Sequence, residues 1–200
     1  NIDLSKAKYF AGHSLGEYSA LSTAGYLNFS DTRKLLRLRG DAMQNSVPKG
    51  EGGMVAVLGS TVEIIEEILK INESNFFAQI ANDNSVGQIV ISGKNDDLIK
   101  CIEILKSKKI KNIKLPVSAP FHCSLMKKAT EIMKKELDNV KFIDANKTLI
   151  SNVTADEISN KDILKKLLID QIENRVRWRE SVINMIEKGV EQFIEIGPGK

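Results

Sequence analysis

The chain lacks several features that would assign it to a specialised class of protein. Two cysteines among 200 residues are too few for a disulfide framework, so we expect a reducing, cytoplasmic setting. No apolar run approaches the roughly 20 residues that cross a bilayer, and residues 1–20 show no signal peptide. A net charge of only +3 gives nucleic-acid binding no support. What is present, 28% charged and 42% hydrophobic residues, is typical of a globular chain with a packed core.

The stretch GHSLGEYSAL, residues 12–21, fits the pattern Gly-x-Ser-x-Gly between a short apolar segment and a helical one. A strand–turn–helix of this kind is a nucleophile elbow, in which glycines relieve crowding and the serine hydroxyl stands exposed. Ser14 is therefore a candidate nucleophile. The N–H of Leu15, at the start of the helix, is a candidate donor to a developing oxyanion. The alternative is a glycine-rich turn with an incidental serine.

A serine hydroxyl needs a base to become a good nucleophile, and the chain has only two histidines. His13 adjoins Ser14 and would point elsewhere on such a turn. His122 lies in a proline-containing loop ahead of a helix and is the candidate base, although it could instead cap or pack beneath that loop. No acidic residue stands out as the third member of a triad, and a backbone carbonyl can orient the histidine equally well.

Helical and strand patterns alternate at both ends of the chain, which predicts an α/β domain with a mostly parallel sheet of the hydrolase type. The predicted elements are a strand end at 7–11, a helix from Leu15, a helix from an Asp31 N-cap to Gln44, a helix after the His122 loop, a strand at 142–152, helices at 163–171 and 178–188, and a strand at 190–197.

Between these ends the order of elements is β-α-β-β-α-β, the ferredoxin-like pattern. Strands are predicted at 54–59, 76–81, 87–93 and 110–118, with one helix capped by a Ser60–Glu63 box and another by Asn95. We therefore expect an inserted subdomain at residues 48–118 and a large, incomplete α/β domain from residues 1–47 and 119–200.

Arg39, in RLRGDAMQ, is open to two interpretations. A solvated helix arginine is the usual outcome. The functional alternative is a bidentate contact with a substrate carboxylate, which the planar guanidinium suits. The sequence pattern alone does not decide between them.

Several ordered motifs resemble those of the malonyl-CoA:acyl carrier protein transacylases of bacterial fatty-acid synthesis, and the resemblance covers nearly all of the chain. The motifs are GHSLGEYSAL, RLRGDAMQ, VSAPFHCSLM, QIENRVRW, NDNSVGQIVISG and FIEIGPGK. By this resemblance Ser14 accepts the acyl group and His122 is the general base. Gln171 supports His122 through its main-chain carbonyl, and together with Leu15 it completes the predicted catalytic set.

The same resemblance implies a substrate-binding set on three other motifs. Arg39 would bind the malonyl carboxylate and Met43 would line the acyl pocket. Phe121 matches the malonyl-preferring form of the histidine loop, and Asn84 borders the active-site gorge as a ligand contact.

The function that the resemblance implies is ping-pong transfer of malonyl from malonyl-CoA to the pantetheine thiol of acyl carrier protein, through a malonyl-serine ester. No metal, prosthetic group, nucleic acid or membrane is expected to take part. Family members carry a further N-terminal Gly-Gln-Gly loop with a second oxyanion donor, so the chain is expected to be a fragment. Two alternatives stay open: a serine esterase or thioesterase of the α/β-hydrolase type, and a non-catalytic binding module.

Overall fold

The computed structural model describes residues 3–197, which form seven strands and seven α-helices. In chain order they are β1 Tyr9–Phe10, α1 Gly16–Ala24, α2 Phe29–Gln44, β2 Gly52–Leu58, α3 Val62–Ile71, β3 Ala78–Ser85, β4 Gln88–Lys94, α4 Asn95–Ser107, β5 Lys111–Lys114, α5 Lys127–Asp138, β6 Thr148–Ile150, β7 Glu157–Ile158, α6 Lys161–Asp170 and α7 Trp178–Glu187.

The ends of the chain meet in a three-stranded sheet with the order β1-β6-β7. β1 runs parallel to β6, and β7 is an antiparallel edge strand. Apolar residues spaced four apart, such as Ala129, Met133 and Leu137 on α5, place one face of each helix in a common core. That core also receives α1, α2 and α6, so the predicted α/β architecture is confirmed.

The middle of the chain forms a four-stranded antiparallel sheet with the order β3-β4-β2-β5. This is the strand order that the predicted β-α-β-β-α-β succession produces when each helix crosses back over the sheet. Alternate residues of β2 point to opposite faces. Val55 and Val57 pack against α3 and α4, whereas Met54 packs with Phe121 of the histidine loop.

The C-terminal strand prediction is wrong for residues 190–197. This segment forms no strand and leaves Phe193, Ile194 and Ile196 at least half exposed. A strand needs a neighbour to pair its backbone groups, and among residues 3–197 no strand lies beside this segment. The end of the FIEIGPGK motif, residues 198–200, lies outside the described residues.

Three predicted helix caps are also corrected. Asn28, not Asp31, caps α2, since its Oδ1 accepts from the Asp31 N–H at 2.8 Å. Thr61, not Ser60, caps α3. Asn95 is the first residue of α4 rather than its cap, and its side chain donates to the Gly50 carbonyl. For α2 and α3 a neighbouring polar residue takes the capping role, and for α4 the helix begins one residue earlier than predicted, at a Lys94 cap position without a side-chain hydrogen bond.

The predicted strand boundaries move most at β3 and β6. The apolar run 76–81 predicted only the first part of β3, which continues through Asn82 and Asp83. Both polar residues are buried, and the pairing shifts register beside each of them. Polar residues inside a bulged strand hide it from an apolar pattern. β6 keeps only three residues of the predicted 142–152 strand.

Candidate active site

The elbow between β1 and α1 holds Ser14 in a left-handed conformation, with φ of 52°. This conformation is uncommon for a residue other than glycine and lifts the hydroxyl out of the turn. Gly12 makes the turn possible, because a Cβ there would lie 2.0 Å from the Gly16 carbonyl oxygen. The N–H of Leu15 has no acceptor within residues 3–197, so it is free to donate at the start of α1.

His122 meets Ser14 as the sequence predicted. Its Nε2 lies 2.7 Å from Ser14 Oγ, and its Nδ1 lies 2.9 Å from the main-chain oxygen of Gln171. A carbonyl oxygen only accepts, so Nδ1 carries the hydrogen and Nε2 accepts from the serine hydroxyl. Burial and the charge of Arg39 lower the pKa of His122 to about 3, which keeps the imidazole neutral at pH 7. The geometry is that of a serine with a hydrogen-bonded base.

Arg39 is not a solvated helix arginine. It is 6% exposed, and its Nη2 donates to Ser14 Oγ at 3.0 Å and to Gln171 Oε1 at 2.8 Å. Its guanidinium carbon lies 5.7 Å from the centre of the Tyr18 ring. The Arg39 Nε is buried without an acceptor among residues 3–197. A buried guanidinium with unused donors beside a nucleophile is suited to a ligand anion.

Asn152 and Glu17 are site residues that the sequence analysis missed. Asn152 Oδ1 accepts from the Ser14 N–H at 2.7 Å, and its Nδ2 donates to the Gly12 carbonyl at 2.9 Å. Glu17 is 1% exposed and accepts from the side chain of Gln171. Asn152 follows β6, the parallel partner of β1. Ligand sites lie at the carboxyl ends of parallel strands, so a polar residue at that end of β6 could have been predicted as a site residue.

The predicted acyl-pocket residues lie around this cluster without bonding to it. Met43 is buried in the large core, one turn after Arg39 on α2. Phe121 is half-buried, and its carbonyl accepts from Ser92 of β4. Asn84 Oδ1 is occupied by His13 Nε2 at 2.8 Å. The ligand contacts predicted for these three residues therefore stay predictions.

A cavity of about 300 Å³ opens beside His122, between α3, β3 and residues 173–175. No group of three or more potential metal-binding side chains occurs among residues 3–197. In the same part of the chain, every helix is too short or too polar to cross a bilayer.

The chain is similar in sequence to proteins of a known family. A family model described as "Acyl transferase domain" matches residues 5–199. The malonyl CoA-acyl carrier protein transacylase of Bacillus subtilis (strain 168) is 46% identical over 194 residues, which are 96% of this chain and 61% of that protein. The chain thus spans about three fifths of the length of this relative.

Solved structures of similarly named proteins also superpose on this chain. The malonyl CoA-acyl carrier protein transacylase from Clostridium perfringens superposes with a TM-score of 0.91 at 44% identity, covering 94% of this chain and 60% of that one. A complex described as a type II PKS acyl-carrier protein with its malonyl-transacylase gives a TM-score of 0.91 at 36% identity. It covers 96% of this chain and 62% of that one.

Proposed function

Because this chain belongs to the acyl transferase domain family, we propose that Ser14 is the nucleophile of a malonyl-transfer site. The donor is malonyl-CoA and the acceptor is the pantetheine thiol of acyl carrier protein. Support for these substrates comes from the names of three relatives, which are 46%, 44% and 36% identical to this chain. The single observation that carries the proposal is the double contact of Ser14 Oγ, which donates to His122 and accepts from Arg39.

The first half-reaction acylates the serine. His122 Nε2 takes the hydroxyl proton while Ser14 Oγ attacks the thioester carbonyl carbon. The Leu15 N–H donates to the oxyanion of the tetrahedral intermediate. When the C–S bond breaks, the imidazolium returns the proton to the CoA sulfur, which leaves a malonyl-serine ester and a free thiol.

The second half-reaction runs the same steps in reverse with another thiol. The pantetheine thiol gives its proton to His122 and attacks the ester carbonyl, and Ser14 Oγ leaves with the proton from the imidazolium. The nucleophile and the base are both side chains of this chain, so the reaction needs no prosthetic group here.

Arg39 selects the acyl group by its charge. A malonyl carboxylate pairs with the buried guanidinium, whereas an acetyl group offers no charge for the guanidinium to pair with. Burial is the main cause of the lowered pKa of His122, and the Arg39 charge adds to it. A carboxylate paired with Arg39 offsets that second contribution, so the base becomes stronger when the right substrate is bound.

The domain division follows the two sheets. We assign residues 48–118 to the inserted ferredoxin-like subdomain and the sequence ranges 1–47 and 119–200 to the large domain. Support comes from the separate apolar cores, one built around the four-stranded sheet and one around α1, α2, α5 and α6.

Intact-mass analysis of the complete natural protein tests the function. After mixing with malonyl-CoA, acetyl-CoA or methylmalonyl-CoA, we expect a malonyl adduct that disappears in Ser14→Ala. Arg39→Ala should lose the preference for malonyl over acetyl. Arg37→Ala is the matched control, because that side chain lies on the same helix and is 83% exposed.

Three other outcomes would contradict the proposal. Equal adduct yields from acetyl-CoA and malonyl-CoA in the wild type would remove the role of Arg39. Rapid hydrolysis of the ester without added thiol would favour the esterase or thioesterase alternative. Binding of acyl carrier protein without any serine adduct would favour the non-catalytic binding module.

A further inference from the structure

Glu17 is a buried acid that the proposed reaction does not use. It lies on α1, three residues after Ser14, and is 1% exposed. Its carboxylate accepts from the Gln171 side-chain amide and from the main-chain N–H of Asn152, the latter at 3.4 Å. A buried carboxylate costs free energy unless hydrogen bonds or a nearby cation compensate it, so its retention here calls for an explanation.

The two partners of Glu17 hold the three groups that meet at the serine. The main-chain oxygen of Gln171 accepts from His122, and its Oε1 accepts from Arg39. Asn152 Oδ1 accepts from the Ser14 N–H. Glu17 therefore fixes the two residues that position the base, the cation and the elbow.

Gln171 also joins two buried charges. Its Oε1 accepts from Arg39, and its Nε2 donates to Glu17, so one amide group lies between a cation and an anion. Each charge polarises the amide in the direction that strengthens the hydrogen bond to the other. Arg39 makes no ion pair with a carboxylate among residues 3–197.

We propose that Glu17 is a positioning residue and the counter-charge of Arg39, acting through the side chain of Gln171. The inference rests on the proposed function. When a dicarboxylic acyl group pairs with Arg39, the cation no longer compensates Glu17, and Glu17 takes up a proton.

The charges that surround Glu17 are consistent with this linkage. Arg39 faces it from α2, Tyr18 adjoins it on α1, and His122 lies beyond Gln171 on the loop before α5. Burial raises the pKa of Glu17 to about 7, while its hydrogen bonds and the Arg39 charge act in the opposite direction. Loss of that compensation would raise the pKa further.

Three variants of the complete natural protein test the proposal in steady-state malonyl transfer. Glu17→Gln removes the charge and accepts from only one of the two donors, whereas Glu17→Asp keeps the charge. Glu67→Gln is the matched control, because Glu67 is exposed on α3. We expect Glu17→Gln to lower kcat by about 10- to 100-fold, since a misplaced base and nucleophile cost rates of that order.

The KM values distinguish positioning from a merely structural role. Without its counter-charge Arg39 attracts a carboxylate more strongly, so in Glu17→Gln the KM for malonyl-CoA should fall while that for acetyl-CoA stays unchanged. Glu17→Asp should restore part of kcat and the wild-type ratio of KM values. If the wild type forms the serine adduct and folded Glu17→Gln has unchanged kcat and KM, this inference is overturned and the proposed function is not. Absence of the wild-type adduct would overturn the proposed function and this inference with it.

A second measurement needs no substitution at Glu17 and covers the case in which Glu17→Gln fails to fold. Binding of malonyl-CoA to Ser14→Ala is followed by calorimetry near pH 7 in two buffers of different ionisation enthalpy. We expect proton uptake with malonyl-CoA and none with acetyl-CoA. Equal proton uptake for the two thioesters, or none for either, would overturn the proposal.

Discussion

The imidazole of His122 donates from Nδ1 to the main-chain carbonyl oxygen of Gln171 at 2.9 Å. The acceptor is an uncharged backbone group, so the direct partner of the base is a carbonyl rather than a carboxylate. The side chain of the same glutamine bonds to Arg39. One residue thus serves the base with its backbone and the cation with its side chain.

Gln171→Ala should therefore separate these two roles. The backbone carbonyl stays, so serine acylation should persist at a reduced rate. The preference for malonyl over acetyl should fall, because Gln171 Oε1 no longer holds the Arg39 guanidinium in position. His122→Ala should lose about 10²–10⁴ in rate, the usual contribution of a general base. The measurement is the rate of adduct formation by mass spectrometry. Equal losses in the two variants would show that the side chain, not the carbonyl, supports the base.

The two glycines of the elbow, Gly12 and Gly16, should differ in how much a substitution by alanine destabilises the protein. A Cβ at Gly12 would overlap the Gly16 backbone, whereas a Cβ at Gly16 meets nothing within 4 Å. We expect Gly12→Ala to lower the free energy of unfolding by more than about 2 kcal/mol. Gly16→Ala, at the first position of α1, should be neutral or stabilising by up to about 1 kcal/mol. Urea unfolding measures both, and similar values for the two variants would contradict the geometry.

The left-handed backbone of Ser14 should cost stability. Glycine adopts φ of 52° without the clash that a Cβ causes, so Ser14→Gly should be more stable than Ser14→Ala by about 1 kcal/mol. For a chain of this size that corresponds to about 2–4 °C in Tm. Both variants lack the hydroxyl, so their difference isolates the backbone. An equal Tm in thermal unfolding would mean that the elbow is relaxed.

Asn152→Ala tests the residue that the sequence analysis missed. It leaves the Ser14 N–H and the Gly12 carbonyl without their partner, which should cost about 2–4 kcal/mol of unfolding free energy. Acylation should slow as well, because the elbow is no longer fixed. Asn139→Ala, an exposed position after α5, is the control for both assays. A rate equal to that of the control would show that the turn holds without Asn152.

The buried acid Glu17 should make stability depend on pH in a defined direction. Its folded-state pKa is raised from 4.5 to about 7, so its contribution is fully present below about pH 4.5 and is lost as pH rises through 7. The stability difference between wild type and Glu17→Gln should therefore shift in favour of the variant from pH 5 to pH 8. The expected shift is on the order of 3 kcal/mol.

Denaturant unfolding at the two pH values checks this shift, with Glu67→Gln as the exposed control. The lowered pKa of His122 acts in the opposite direction, with stability lost as pH falls below about 6.5. That contribution is common to both proteins and cancels in their difference. A difference between wild type and Glu17→Gln that does not change with pH would contradict the raised pKa.

The sequence predicted the parts of the fold in which local pattern and packing agree. The amphipathic helices and the apolar strands β2 and β4 lie within a few residues of their predicted positions. The second half of β3 was not predicted, because Asn82 and Asp83 are polar residues that are nevertheless buried. The expected strand at 190–197 has apolar residues, but pairing depends on a neighbour that no local pattern reveals.

The site divides in the same way. Ser14 and His122 carry local signals, a glycine-flanked turn and a lone histidine in a loop, and they meet as predicted. The burial of Arg39 is a tertiary property, which helix periodicity did not reveal. Asn152 bonds to the backbone of a turn that is distant in sequence, so the residues around Asn152 in the chain do not indicate this role.

The segment that follows Gln171 is joined by backbone hydrogen bonds to the four-stranded sheet. Val176 donates to the Ala81 carbonyl at 2.8 Å and accepts from the Asp83 N–H at 2.9 Å, in the manner of an added parallel strand. A hinge rotation of that sheet would have to break both bonds or carry the base with it. A motion of the four-stranded sheet that keeps both bonds therefore displaces the segment after Gln171 with it, and so acts on the carbonyl that accepts from His122.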